Sequence, residues 1–174
     1  MGRLLNAQLC SSFDERFPGW AHMVRQGATT IWEDWAGTSS HDHPALGSVG
    51  AWFYQALAGI CPDPAAPGFK KIVIKPAVVG DLTWVKGSYD SIHGRIVSNW
   101  RREGDQLSMD ITIPANTTGT VFVPAEDASG VTESGKPAAQ AEGVKLLRLQ
   151  DHAAVYVVDA GTYQFQSTLP EIIK

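Results

Sequence analysis

The sequence predicts an α+β chain in two parts, a helical part over 1–61 and an antiparallel β-sandwich over 62–174. Three observations predict it. Apolar residues recur every three or four positions as far as Ile60. Beyond Gly68 they recur every second position instead. Between the two patterns lies CPDPAAPG (61–68), with three prolines and a glycine, which marks a boundary because neither a helix nor a central strand tolerates that composition.

In the helical part, Leu4, Leu5 and Leu9 suggest a first short helix. FPGWAHMVRQG (17–27) then places Pro18 at a helix start and Gly27 just past its end, with Trp20, Met23 and Val24 on one face. SSHDHPALGSVGAWFYQALAGI (39–60) puts Asp42 and His43 at a cap and Pro44 in a first turn. Leu46, Val49, Trp52, Phe53, Ala56, Leu57 and Ile60 follow at the spacing of an amphipathic helix. About three helices cannot close a core on their own, yet these faces are wide and aromatic. They read as the tail of a larger helical domain and call for a partner surface or self-association.

Strands are predicted at KKIVIKP, LTWVKGSY, GRIVSNWRRE, QLSMDITI, TVFVP, VKLLRL, AAVYVVD and TYQFQS. In QLSMDITI, for example, Leu107, Met109, Ile111 and Ile113 share a face, and Glu103-Gly104-Asp105 supplies the hairpin turn before it. About eight short strands separated by Gly, Pro and Asn indicate a sandwich, and about 110 residues suffice for it to fold alone.

Bulk properties narrow the function. A net charge of −4 gives no electrostatic reason to expect nucleic acid or an anionic membrane as partner. No apolar run reaches the roughly 20 residues of a membrane span. MGRLLNAQLC lacks the pattern of a secretory signal, so a cytoplasmic address is expected. Cys10 and Cys61 have no zinc-type spacing and read as buried thiols, and no metal or other cofactor is implied.

The stretch GATTIWEDW (27–35) carries the chemistry. Tryptophan is costly to leave wet and adjacent carboxylates repel, so a solvated surface has little use for Glu33 and Asp34 between Trp32 and Trp35. A sugar cleft could use all of them. A carboxylate there can take a proton from water and aim the water at a sugar carbon, opposite a second, protonated carboxylic acid. Indole faces suit the C–H surface of a sugar ring. His43 at its cap can hydrogen-bond a substrate hydroxyl. A plainer reading remains open, in which both tryptophans are core residues, Glu33 partners Arg25 or a helix terminus, and His43 is a surface histidine beside a capping Asp42.

FPGWAHMVRQGATTIWEDW followed by DHPALGSVGAWFYQALAGI resembles the end of the catalytic domain of bacterial alpha-L-rhamnosidases, glycoside hydrolase family 78. LTWVKGSYDSIHGRIVSNWRREGDQLSMDITIPANTTGTVFVPA and the later DAGTYQF are similar to the sandwich that closes those enzymes. The resemblance implies that 1–61 are the last helices of an incomplete (α/α)6 six-hairpin barrel and 62–174 its C-terminal sandwich. It implies an inverting hydrolase of terminal alpha-L-rhamnose, with Glu33 as general base, His43 contacting rhamnose, and Trp32 and Trp35 beside the same site. Family members usually have Asn before that histidine and Tyr after it, where this chain has Asp42 and Pro44. Nothing here matches the family's general acid, so the chain alone is expected to be inactive on a rhamnose-containing glycoside and to need the rest of the barrel as partner. A second expectation, of another class, is a non-catalytic sandwich that packs on a partner chain or binds carbohydrate. A third keeps the six-hairpin fold and Glu33 but changes the sugar.

Overall fold

The computed structural model describes residues 18–30, 32–34, 36–42 and 48–171. The chain divides into two compact units, 1–50 and 51–174.

In the first unit, the helix Pro18–Arg25 starts on the proline, whose missing N–H would have had no intrahelical partner. It stops before Gly27, whose φ of +81° suits glycine and ends the helical path. Met23 is buried and Val24 exposed, while the side chain of Trp20 lies outside the described residues.

The segment predicted as one amphipathic helix from Leu46 to Ile60 is shorter and less regular. Residues 43–47 lie outside the described residues, Val49–Trp52 is α-helical, and Phe53–Leu57 forms a wider π-turn closed by a hydrogen bond from the Ala58 amide to the Phe53 carbonyl. Gly59 then turns the chain at φ +71°, and Ile60 belongs to a strand rather than to the helix. Periodicity alone could not separate the last helical turn from the strand, because Leu57 and Ile60 are also three apart.

Among the described residues, the second unit holds eleven strands: β1 Ile60–Pro62, β2 Lys71–Ile74, β3 Trp84–Ser91, β4 Gly94–Glu103, β5 Gln106–Ile113, β6 Thr118–Pro124, β7 Thr132–Glu133, β8 Lys136–Pro137, β9 Val144–Gln150, β10 Ala153–Val158 and β11 Gly161–Thr168. They form a five-stranded sheet, β1-β2-β6-β10-β9, and a six-stranded sheet, β3-β4-β5-β11-β7-β8. All eight predicted strands are present. The unpredicted ones, β1, β7 and β8, are two or three residues long and too short to show a period. The sandwich is antiparallel as expected apart from one pair, β2 beside β6, which runs parallel.

Alternation along the strands builds the core. Ile72, Ile74, Val121, Val123 and Tyr156 from one sheet meet Ile96, Trp100, Met109, Ile111 and Phe165 from the other, all at most 2% exposed. Each such aliphatic or aromatic side chain contributes roughly 1.5–3 kcal/mol relative to an exposed one.

The end of the helical segment is joined to this sandwich through its carbonyl groups. A helix leaves its last carbonyls without intrahelical partners. Here the Ala77 amide donates to Ala56 O at 2.9 Å and the Trp100 indole N–H to Leu57 O at 2.8 Å. The buried Ser98 hydroxyl donates to Ala58 O at 2.6 Å, and the Lys75 amide to Gly59 O at 2.9 Å. There is no slack at this joint. A Cβ on Gly59 would lie 2.2 Å from Pro76 N, and one on Gly87 would lie 2.5 Å from the Ala58 Cβ.

Cys61 is a half-buried free thiol rather than a fully buried one, and burial pushes its pKa up, while Cys10 lies outside the described residues. Among the described residues, no helix is long and apolar enough to cross a membrane.

Candidate active site

The loop after the first helix holds Trp32, Glu33 and Asp34, and its own backbone shapes it. The Glu33 amide donates to Ser40 O at 2.9 Å and the Ser40 amide donates back to Glu33 Oε2 at 3.3 Å, so the two residues face each other across the loop. The Thr30 hydroxyl donates to His41 O and closes the same hairpin-like turn one step further out. Thr30 is thus a strap on the loop.

The two adjacent carboxylates separate into different environments. Asp34 accepts the Thr38 amide at 3.2 Å, the Thr38 hydroxyl at 3.1 Å and the Ser39 amide at 2.8 Å. Hydrogen bonds from Ser39 and Thr38 hold its carboxyl well below the usual carboxylate range, since each stabilises the ionised form. Glu33 is exposed, and among the described residues the Ser40 amide is the hydrogen-bond donor to its side chain, with no ion pair formed to Arg25. One carboxylate therefore builds the loop and the other is presented by it.

Trp32 is half-buried, with the His41 ring stacked on it at 4.5 Å between centroids and 13° between planes. His41 Nε2 in turn lies 2.9 Å from Gly37 O, which fixes the ring's position. Gly37, at φ +67°, comes so close that a Cβ there would lie 2.9 Å from the indole. The sequence reading missed His41 and Gly37 as the residues that set the Trp32 ring. Their separations from Trp32, nine and five residues, follow no helical or strand period, so no pattern could have flagged them.

Of the predicted site residues, the structure places Trp32 and Glu33 side by side on this loop, while Trp35 and His43 lie outside the described residues. Asp42, predicted as a cap, donates its amide to the Ser40 hydroxyl at 3.3 Å. An exposed carboxylate held by one backbone amide, next to an indole fixed by a stacked ring, is a chemically competent place for a base acting on a ligand with apolar and hydroxyl surfaces.

Comparison with known proteins assigns both parts of the chain. The family model for the bacterial alpha-L-rhamnosidase 6 hairpin glycosidase domain matches residues 11–57, and that for the bacterial alpha-L-rhamnosidase C-terminal domain matches 59–138. An alpha-L-rhamnosidase of Streptomyces avermitilis is 31% identical over 160 residues, covering 86% of this chain and 15% of the relative. One from Formosa agariphila is 29% identical over 166 residues, covering 89% and 18%. The chain thus spans less than a fifth of the length of these relatives. Among solved structures, the Streptomyces avermitilis alpha-L-rhamnosidase complexed with L-rhamnose superposes with a TM-score of 0.71 at 29% identity, over 87% of this chain and 15% of that one. The alpha-L-rhamnosidase from Dictyoglumus thermophilum gives 0.70 at 35% identity, over 84% and 17%. With adjoining family models for two domains of one enzyme family and relatives along most of its length, the chain belongs to the bacterial alpha-L-rhamnosidases, of which it carries the end of the 6 hairpin glycosidase domain and the C-terminal β-sandwich domain.

Proposed function

We propose that this chain is the C-terminal part of an inverting alpha-L-rhamnosidase and supplies its general base, Glu33. In the complete site the Glu33 carboxylate takes a proton from a water molecule as the water oxygen bonds to the anomeric carbon of a terminal rhamnose. A carboxylic acid from outside this chain protonates the departing glycosidic oxygen, and the two carboxyl groups stand roughly 6.5–9.5 Å apart to admit the water. His43 contacts the sugar, and Trp32 and Trp35 wall it. The rest of the barrel is the partner that the exposed aromatic residues of the helical segment require, with Trp52 at 53%, Phe53 at 50% and Tyr54 at 46% exposure.

The observation that carries this reading is the division of labour in the loop. Asp34 is consumed by backbone and hydroxyl hydrogen bonds, whereas Glu33 is exposed, held by the Ser40 amide, and adjacent to a fixed indole. The relatives named as alpha-L-rhamnosidases, one of them solved with L-rhamnose, support the choice of sugar.

Kinetics with a nitrophenyl alpha-L-rhamnoside test it. The chain by itself is expected to show no turnover. A soluble, active chimera joining it to the preceding region of the Streptomyces avermitilis relative is expected to lose about 10²–10⁴-fold in rate on Glu33→Gln. Turnover by the chain alone that Glu33→Gln abolishes, or an unchanged rate in the substituted chimera, would overturn the proposal.

A further inference from the structure

We propose that the outer face of the six-stranded sheet is a binding surface for a neutral glycan chain, built from side chains that the Glu33 chemistry does not use. On β3, β4 and β5 the strand alternation turns Val85, Trp100 and Met109 toward the core. The register then aligns Trp84, Arg101 and Ser108 in one cross-strand row of the opposite face, with Lys86, Asn99 and Asp110 in the next. These six side chains line an open groove of about 820 Å³, within the roughly 300–1,000 Å³ range of small-molecule sites.

Trp84 needs explaining. It is 56% exposed, in contrast to Trp100 at 2% on the neighbouring strand, and among the described residues no ring or cation lies over it. The outer face of a sandwich sheet is ordinarily polar, so an indole standing open on it calls for an occupant. Its neighbours decide what it could receive. Lys86, Arg101 and Arg102 carry positive charge, Glu103 and Asp110 negative charge, and the Arg101 guanidinium is tied to Glu103 at 2.6 Å. The two signs are interspersed and one pair is already closed, which leaves no cluster of a single sign to draw phosphate, nucleic acid or an anionic membrane. A sugar ring matches it on both counts: its C–H face lies on an indole, and its hydroxyls accept hydrogen bonds from the Asn99 amide and the Lys86 ammonium and donate to the Asp110 carboxylate.

Electrophoresis of the full chain in native gels cast with a soluble neutral polysaccharide, galactomannan or an unsulfated rhamnan, tests the proposal. The expected result is retarded migration of the parent and of Glu33→Gln alike, with Trp84→Ala and Asp110→Ala migrating as in gels without polysaccharide. Unaltered melting temperatures confirm that the variants are folded; if Trp84→Ala fails to fold, Asp110→Ala alone decides. Three outcomes would overturn the proposal. In one, neither polysaccharide retards the parent; in another, retardation persists in the folded variants. In the last, Trp84→Ala converts a self-associated form to monomer while the parent shows no retardation, which would make the face a contact between copies of the chain. Because Glu33→Gln is expected to bind as the parent does, failure here leaves the assignment of the general base standing, and the reverse also holds.

Discussion

Asp34 and Glu33 show what one side chain's surroundings do to its role. Side by side in sequence, they differ in that the oxygens of one accept three hydrogen bonds from Thr38 and Ser39 while the other accepts the Ser40 amide. The residue types and the flanking tryptophans led the sequence reading to propose a sugar-type site, but which of the two carboxylates the loop ties down depends on a turn closed four and five residues later. A second residue-scale consequence concerns Tyr156. Its ring is fully buried against Phe165, yet its hydroxyl has no hydrogen-bond partner among the described residues. A buried hydroxyl without a partner costs about 1–3 kcal/mol. Tyr156→Phe is therefore expected to raise the free energy of urea unfolding by about 1 kcal/mol. Burial also pushes the Tyr156 pKa up, so its folded state resists ionisation. That contribution is fully present below the unfolded phenol value of about 10 and is lost as pH rises through the higher folded value. Above pH ~10 the parent should lose stability more steeply than Tyr156→Phe.

At the scale of elements, the informative one is the helical segment that ends at Gly59. Its amphipathic pattern was plain in the sequence, and its extent was not. The pattern ran on to Ile60 because a strand residue follows at helical spacing, and the stop is set instead by a positive φ at Gly59 and by donors some 20 to 40 residues away, Ala77, Ser98 and Trp100. Long-range satisfaction of a helix terminus has no local signature. The eight longer strands were legible because each is wet on one side, as in β5, or flanked by turn residues, whereas β7 and β8, at two residues each, were not. Substitution should expose how much rests on this joint. Gly59→Ala combines an unfavourable φ with a backbone clash at 2.2 Å and is expected to destabilise by about 3 kcal/mol or more. Ser98→Ala leaves the Ala58 carbonyl without its buried donor, for a loss of about 1–3 kcal/mol in the same urea titration. A pair of variants that unfold like the parent would mean the joint bears no strain and no energy.

For the whole molecule, fold class and family were legible in the chain, because the change of apolar period and the GATT-x-WE and GSVGAWFY stretches are both local. What completes a catalytic centre was not, since on the proposed reading the general acid comes from outside this chain. The regions recognised by the two family models meet between 57 and 59, while the compact units part at 50 and 51. The first boundary falls inside the hydrogen-bonded segment 56–59 and the second lies ahead of it, so one cut splits the segment and the other keeps it whole. A piece starting at Val49 keeps the carbonyls that Ala77, Trp100, Ser98 and Lys75 bind, and a piece starting at Gly59 leaves Trp100 and Ser98 facing water. The shorter piece is expected to melt several degrees lower, readable by circular dichroism, and equal melting temperatures would argue against the joint. For anyone splicing this sandwich onto a foreign barrel, the seam between homologous families is thus the wrong place for the scissors: the graft should carry its last helical turn along, as a dowel that arrives already glued.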